Sequence, residues 1–150
     1  MNDLLMRFWG WFEIAPEQYS VNGSPQIYGH EEDDFPYFEQ LLIFAKEIVD
    51  HNDLTAEGVS NLLTVMAIDN EAESVLEYVQ KNSSPEQLEQ IIKIGLEHTQ
   101  FNARWQLSEI IINRKPEGYL VYLNQLCQDD HPYVSSRAKS CMERAGYKTN

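Results

Sequence analysis

Residues 100–113 read QFNARWQLSEIIIN, and they decide the fold because their apolar pattern recurs along the chain at a fixed step. Within this stretch Ala103, Leu107 and Ile110 lie at i, i+4 and i+7, which places them on one face of a helix. Steps of 31 residues in either direction reach only apolar residues, so four equivalent triplets are formed. The other triplets are Leu41, Ala45 and Ile48; Ala72, Leu76 and Val79; and Val134, Ala138 and Cys141. We therefore predict four equivalent helices, near residues 38–50, 70–81, 101–113 and 132–145, with Leu76 and Leu107 deeply buried.

The segments between these helices also carry helix signals. Thr55 and Ser84 are placed as N-caps, Pro85 follows at a first helical position, and Pro116 marks the predicted start of another helix. An apolar stripe in the first 15 residues predicts one more helix, packed on the core. The sequence has no sustained alternation of apolar and polar residues, which would indicate strands. The chain is thus predicted to be all-α, with eight helices in four antiparallel pairs and no sheet.

The carboxyl-terminal part resembles a known repeat family. Residues 129–134 read DDHPYV and are followed by Arg137 and Ala138. This resembles the acidic turn, the Val entering the second helix and the Arg-Ala pair of HEAT and armadillo repeats, and residues 100–113 are similar more loosely. The resemblance covers residues 98–146 and implies an α-solenoid with a period of about 31 residues. Such solenoids mostly present concave binding surfaces, so the resemblance implies an architecture and no reaction.

Length and charge narrow the classes of function. The 150 residues suit one helical-repeat domain spanning 1–150, and the net charge of −13 argues against nucleic acid and against an anionic membrane surface as partners. The two cysteines, Cys127 and Cys141, are too few for a disulfide scaffold and favour a reducing, cytoplasmic location. Residues 1–100 contain 19 acids and 4 bases, whereas residues 101–150 contain 5 acids and 7 bases. We expect the amino-terminal two thirds to present a negative field to a basic protein partner.

Candidate partner-binding residues come from two parts of the sequence. A predicted loop at residues 16–34 ends in four consecutive acids, which are Glu31, Glu32, Asp33 and Asp34. A ridge of polar residues is predicted on the inner surface of the repeat helices, with Glu47, Tyr78 and Glu109 on it and Asp50, Glu73 and Glu77 beside them. Opposite the core face of the third repeat helix lie Phe101, Trp105 and Ile112. Trp105 is either covered by the amino-terminal helix or the long loop, or it is an exposed anchor for the partner.

The sequence contains few residue patterns that are typical of catalysis, phosphate binding or metal binding. The sequence has no glycine-rich phosphate loop, and neither cysteine has a histidine at a catalytic spacing. His30, His51, His98 and His131 each adjoin an acid but miss the 31-residue register. We predict no catalytic residues, no bound metal and no cofactor. A metal-dependent helical-repeat enzyme or a small-molecule sensor remains an alternative class.

A small, acidic, helical chain of this kind resembles in type the immunity proteins of bacterial toxin and contact-dependent growth inhibition systems. The function predicted from the sequence is therefore a non-catalytic immunity or antitoxin protein, monomeric alone, that neutralises a basic toxin domain by direct binding. A general adaptor or scaffold is the other binding-module alternative.

Overall fold

The computed structural model describes residues 2–22 and 31–148, and within these ranges it contains nine α-helices, one short 3-10 helix and no strand. The α-helices are α1 (Asp3–Phe12), α2 (Pro16–Asn22), α3 (Phe38–Asp50), α4 (Ala56–Ile68), α5 (Ser74–Asn82), α6 (Pro85–Gly95), α7 (Phe101–Arg114), α8 (Tyr119–Cys127) and α9 (Pro132–Arg144). The 3-10 helix, η1, covers Glu32–Asp34. The predicted all-α class is confirmed.

The 31-residue period predicts the starts of three of the four repeat helices, but not that of α5, which begins at Ser74 instead of near residue 70. Helices α3, α7 and α9 begin at the predicted residues, and all the predicted core positions are buried except Ala72. Ala72 is exposed because α5 begins only at Ser74. The Asp69 carboxylate sets this start, since its Oδ2 accepts hydrogen bonds from the Val75 N–H at 2.8 Å and the Ser74 hydroxyl at 2.7 Å. Leu76 and Leu107 are buried as predicted.

The predicted caps explain the starts of α4 and α6. The Thr55 hydroxyl accepts from the Gly58 N–H at 3.0 Å, and the Ser84 hydroxyl accepts from the Gln87 N–H at 3.1 Å. Each bond satisfies one of the amide donors that a helix leaves unpaired in its first turn. The prediction for Pro116 was wrong, because α8 begins at Tyr119 after a turn in which Gly118 adopts a left-handed φ of 73°.

Helix α7 is the centre of the packing. It contacts α4, α5, α6, α8 and α9, and the repeat helices contact one another in the order α3, α5, α7, α9. Gln106 lies fully buried in α7, where its amide Nε2 donates to the carbonyl oxygens of Met66 at 2.8 Å and Asn102 at 2.9 Å. These bonds join α7 to α4 through the core, because an amide buried there needs acceptors.

The amino-terminal part packs through aromatic rings. Phe8 and Trp9 of α1 make edge-to-face contacts with Phe35 and Tyr19, at centroid distances of 5.4 Å and 5.3 Å. The predicted loop at residues 16–34 was wrong over residues 16–22 and 32–34, which form α2 and η1, while residues 23–30 lie outside the described part. The main-chain oxygen of Pro16 accepts from the Gln100 side chain at 2.9 Å, which ties the start of α2 to the start of α7.

Candidate functional site

Carboxylates from three segments meet beside the carboxyl-terminal end of α4. They surround a pocket of about 50 Å³, which we call the acidic pocket. Its lining residues are Glu31, Glu32, Asp33, Phe38, Ile68, Asp69, Glu71 and Ala72. Of the acids in this lining, Glu31, Asp33 and Glu71 are exposed to solvent, whereas Glu32 and Asp69 are buried. The pocket therefore has an acidic floor as well as an acidic rim.

Asp69 is the most deeply placed of these acids, with 2% of its surface exposed. Its Oδ2 caps α5, but its Oδ1 is buried and has no hydrogen-bond partner in the described part of the chain. Burial raises the pKa of Asp69, while the hydrogen bonds from Val75 and Ser74 oppose that rise. A buried carboxylate oxygen without a donor is unfavourable.

Glu32 was predicted to bind the partner together with its acidic neighbours. It is buried, whereas those neighbours are exposed. Its Oε1 accepts from the Tyr19 hydroxyl at 2.7 Å, and Tyr19 is itself fully buried. Burial raises the pKa of Tyr19 well above its usual value, and the adjacent Glu32 carboxylate adds to that rise. Glu32 thus holds η1 against α2, and only Glu31, Asp33 and Asp34 of the predicted acid run face solvent.

The predicted ridge on α3 and α5 is exposed for the most part. Glu47, Asp50 and Glu77 are exposed, while Tyr78 is half-buried. The Tyr78 hydroxyl donates to Asp50 at 2.6 Å, so these two predicted residues are brought together across α3 and α5. Lys46 lies beside them, with its ammonium 5.5 Å from the Tyr78 ring centroid.

Glu109 is neutralised within the chain, in contrast to its predicted role on an open acidic ridge. It forms ion pairs with Arg137 at 2.8 Å and with Arg144 at 2.5 Å. Burial alone would raise the pKa of Glu109, but the two arginines lower it. Glu73 is half-buried, and burial raises its pKa, while Arg137 opposes the effect and Glu109 and Glu77 add to it. The structure therefore places Glu73 near both Glu109 and Arg137.

Trp105 is only 4% exposed, so the alternative in which it is an exposed anchor for the partner was wrong. The sequence allowed a cover from the amino-terminal helix or from the long loop, but helix α9 supplies two ring contacts to the indole. Tyr133 meets it edge-to-face at 5.9 Å, and the Arg137 guanidinium lies 4.6 Å from its ring centroid. The indole N–H donates to the Asn102 side chain at 3.0 Å. Ile112 is buried too, and the half-buried Phe101 stacks on His131.

Two of the described histidines, His98 and His131, contact neighbouring groups of the protein. The His98 Nδ1 accepts from the Gln100 N–H at 3.2 Å, and burial lowers the pKa of His98 from 6.5 to about 4. The His131 ring stacks on Phe101 with centroids 3.9 Å apart. His51 is exposed at the end of α3, and His30 lies outside the described residues. Within residues 2–22 and 31–148, no three His, Cys, Asp or Glu side chains are arranged to hold a metal ion.

Two larger cavities lie on the carboxyl-terminal side. One, of about 500 Å³, lies between α6 and α8 and is lined in part by Leu88, Ile92 and Tyr122. The other, of about 380 Å³, is lined in part by Arg104 and Asp129. Arg104 and Asp129 form a two-pronged ion pair at 2.7 Å and 3.0 Å. Burial alone would raise the pKa of Asp129, but the bonds from Arg104 and from the His131 N–H lower it. Arg104 and Asp129, two of the ionisable residues in this lining, therefore satisfy each other.

Asp69 and Glu71 were not identified from the sequence. The available signal was position, because Asp69 follows the last residue of α4. The negative end of the helix dipole disfavours an acid there, so an acid at that place indicates a compensating contact. That contact proved to be the cap on α5.

Comparisons with known proteins give no relative to guide the interpretation. None of the helices in the described ranges has both the length and the apolar character needed to cross a bilayer. The chain matches no protein-family model, no curated protein and no solved structure.

Proposed function

We propose that this chain is a non-catalytic protein-binding module whose acidic amino-terminal part binds a basic protein partner. The more specific proposal is a cytoplasmic immunity protein that neutralises a toxin domain with a basic surface. One observation carries both, namely the unequal neutralisation of acids along the chain. Residues 31–77 contain 13 acids and a single lysine.

Five of the exposed acids of this segment have no basic partner in the described part of the chain. Glu31, Asp33, Asp34, Glu47 and Glu77 form no ion pair with a lysine or arginine within the described residues. The carboxyl-terminal acids Glu109 and Asp129, by contrast, are paired with arginines of α7 and α9, as described above. Unpaired carboxylates on one side of a molecule produce a negative potential that increases the association rate with a cationic surface.

A short solenoid of helix pairs is the arrangement that we propose for these helices. The support is the order of contacts, in which α3, α5, α7 and α9 adjoin one another in sequence and α4 packs on α6. In such an arrangement the acids of α3 and α5 lie on adjacent repeat units, and together with η1 they form one binding surface.

The experiment is a measurement of association with the protein encoded beside this gene, by stopped-flow fluorescence over a range of salt concentrations. The test variant combines Glu31→Gln, Asp33→Asn and Asp34→Asn and leaves the buried Glu32 intact. We expect association to slow by about tenfold at low ionic strength, with little change in dissociation.

The matched control combines Glu86→Gln, Glu117→Gln and Asp130→Asn, three exposed acids outside the acidic segment of residues 31–77. It removes the same charge, so it should retain most of the rate if the field is localised. Equal slowing in both variants would show that only net charge matters. An acidic neighbour product, or one that forms no complex, would contradict the immunity function.

A further inference from the structure

We propose that the cavity of about 500 Å³ between α6 and α8 binds a small zwitterionic ligand, namely a free α-amino acid with an apolar side chain. We call this cavity the α6–α8 cleft. Its volume lies within the range of about 300–1,000 Å³ that is usual for small-molecule sites. The lining contains no residue of the acidic segment 31–77. The site is therefore additional to the surface that we propose for the basic protein partner.

The cleft lies where α6 packs closely on α4 but, within the described residues, not on α8. Pro116 lies 31 residues after Pro85, the first residue of α6, but α8 begins only at Tyr119. Between α7 and α8, Lys115 and Gly118 adopt left-handed φ values of 45° and 73°. A turn of the main chain thus replaces the first helical turn expected for α8, and Pro116 of this turn lines the cleft.

Arg114 is the basic residue of the lining, and one edge of its guanidinium has no partner. Its Nη1 donates to the Gln80 carbonyl oxygen at 2.7 Å and to the Ser83 hydroxyl at 3.2 Å, and its Nη2 donates to the Ser83 carbonyl oxygen at 3.1 Å. These bonds use three of the five N–H donors of an arginine. The Nε–H and the second Nη2–H have no hydrogen-bond or ion-pair partner within the described residues. Arg114 is half-buried and its Nε is accessible to solvent, so a ligand can reach this edge.

Arg104 shows what such an edge binds elsewhere in this protein. Its Nη1 also donates to carbonyl oxygens of the main chain, those of His98 at 2.7 Å and Thr99 at 3.1 Å. Its Nε and Nη2 together bind the two oxygens of the Asp129 carboxylate, at 2.7 Å and 3.0 Å. The geometries of a guanidinium edge and a carboxylate match, and such paired bonds are stronger than bonds between neutral groups. The equivalent edge of Arg114 therefore fits the carboxylate of a ligand.

Acids of the lining determine the second charge of the ligand. Glu86 and Glu117 are exposed, and neither forms an ion pair within the described residues. Glu89, the third acid of the lining, is paired with Lys93 at 2.6 Å. Glu86 and Glu117 would repel a ligand that carries only a negative charge, and they would attract an ammonium group beside the carboxylate. An α-amino acid carries both groups.

The apolar part of the lining accommodates the side chain of the amino acid. Pro116 and Tyr122 are half-buried and Pro85 is exposed, so each has surface that a ligand can contact. Leu88 and Ile92 are buried and close the floor of the cleft. Two proline rings and a tyrosine ring favour an apolar or aromatic side chain over a polar one.

The experiment is an NMR titration of the ¹⁵N-labelled chain with three probes that share a phenylethyl body. L-Phenylalanine carries both charges, 3-phenylpropionate carries only the carboxylate, and 2-phenylethylamine carries only the ammonium group. We expect L-phenylalanine to shift the Nε–H resonance of Arg114 and the amide resonances of Glu117 and Tyr122. It should bind at least about fivefold more tightly than either of the other probes.

Three outcomes of this titration would overturn the proposal. If 2-phenylethylamine binds as tightly as L-phenylalanine, only the surface acids are acting. If 3-phenylpropionate binds as tightly, the ligand is not a zwitterion. If L-phenylalanine does not shift the Nε–H resonance of Arg114, the guanidinium edge does not bind a carboxylate.

Glu117→Gln is the first variant, because this residue is exposed and its replacement leaves the core intact. It should weaken L-phenylalanine by about two- to fivefold and strengthen 3-phenylpropionate, since Glu117 attracts the ammonium group and repels a lone carboxylate. The matched control is Asp130→Asn, which changes an exposed acid outside the lining and should alter both affinities by less than about 1.5-fold. Equal effects of the two variants would contradict the assignment of Glu117.

Arg114→Lys retains the positive charge but removes the two-pronged edge, so it should weaken L-phenylalanine by about tenfold or more. Because Arg114 also binds carbonyl oxygens at the end of α5, thermal unfolding of this variant is measured beside its binding. If the variant does not fold, the Nε–H resonance of Arg114 in the unaltered chain and the Glu117→Gln comparison decide the question. A folded Arg114→Lys variant with unchanged affinity for L-phenylalanine would overturn the proposal.

Discussion

Replacement of Leu107 by alanine should destabilise the chain by about 2–5 kcal/mol, the range measured for buried leucines that leave a cavity. Leu107 has no exposed surface, and it lies on α7, the helix that contacts most of the others. Its methyl groups fill the space beside Gly95 of α6. A Cβ added at Gly95 would overlap Leu107 Cδ1 and lie 3.2 Å from Cδ2.

This contact makes the two residues interdependent. Gly95→Ala alone gains about 1 kcal/mol of helix propensity, but the overlap with Leu107 should outweigh this, because overpacking costs about 1–3 kcal/mol. In the Leu107→Ala background the new methyl group enters the cavity instead. The double variant should therefore be more stable than the two single changes predict, by at least about 1 kcal/mol.

Urea unfolding followed by far-ultraviolet circular dichroism measures these free energies of unfolding. Gly10→Ala is the matched control, since Gly10 lies in a helix and a Cβ there meets no atom within 4 Å. It should stabilise the chain by up to about 1 kcal/mol through propensity alone. A loss below about 0.5 kcal/mol for Leu107→Ala, or strict additivity in the double variant, would refute the packing described for α6 and α7.

Three further predictions concern buried polar and aromatic groups. Trp105→Ala should lower stability by about 3–5 kcal/mol, and partner binding measured well below the midpoint of thermal unfolding should be unchanged. Because burial lowers the pKa of His98 from 6.5 to about 4, protonation opposes folding. Stability should fall as the pH decreases across that interval, by about 3 kcal/mol, and urea unfolding of His98→Gln at several pH values should show a smaller fall. Asp129→Asn should cost about 1.5–3 kcal/mol, because Arg104 loses its charged partner. Asp130→Asn, an exposed neighbour, should change thermal stability by less than about 0.5 kcal/mol.

The helices of this protein were predictable because their signals are local. An apolar triplet with helical spacing fixes which face of a helix can be buried, and a cap such as Thr55 or Ser84 acts on amides three residues away. Ala72 shows where this reasoning fails. Alanine is tolerated on the surface as well as in the core, and the cap from Asp69 moved the start of α5 beyond it.

For the candidate site, the sequence predicted only where acidic residues outnumber basic ones. The sequence locates the excess of acids in the first 100 residues, but it does not show which acids are buried or which form ion pairs. Glu32 is buried because Tyr19, 13 residues earlier, donates to it. Glu109 is neutralised by Arg137 and Arg144, which come from another helix.

Local signals in the sequence and the packing of distant segments determined different features of this protein. Composition, period and capping determined the all-α class, the starts of three of the four repeat helices and all the predicted buried positions except Ala72. Packing of distant elements decided that Trp105 lies beneath Arg137, and that Asp69 lies beside Glu31 in one pocket. The physical reason is that helix periodicity and capping act over a few residues. Burial and ion pairing depend on which side chains the fold brings together from dozens of residues apart.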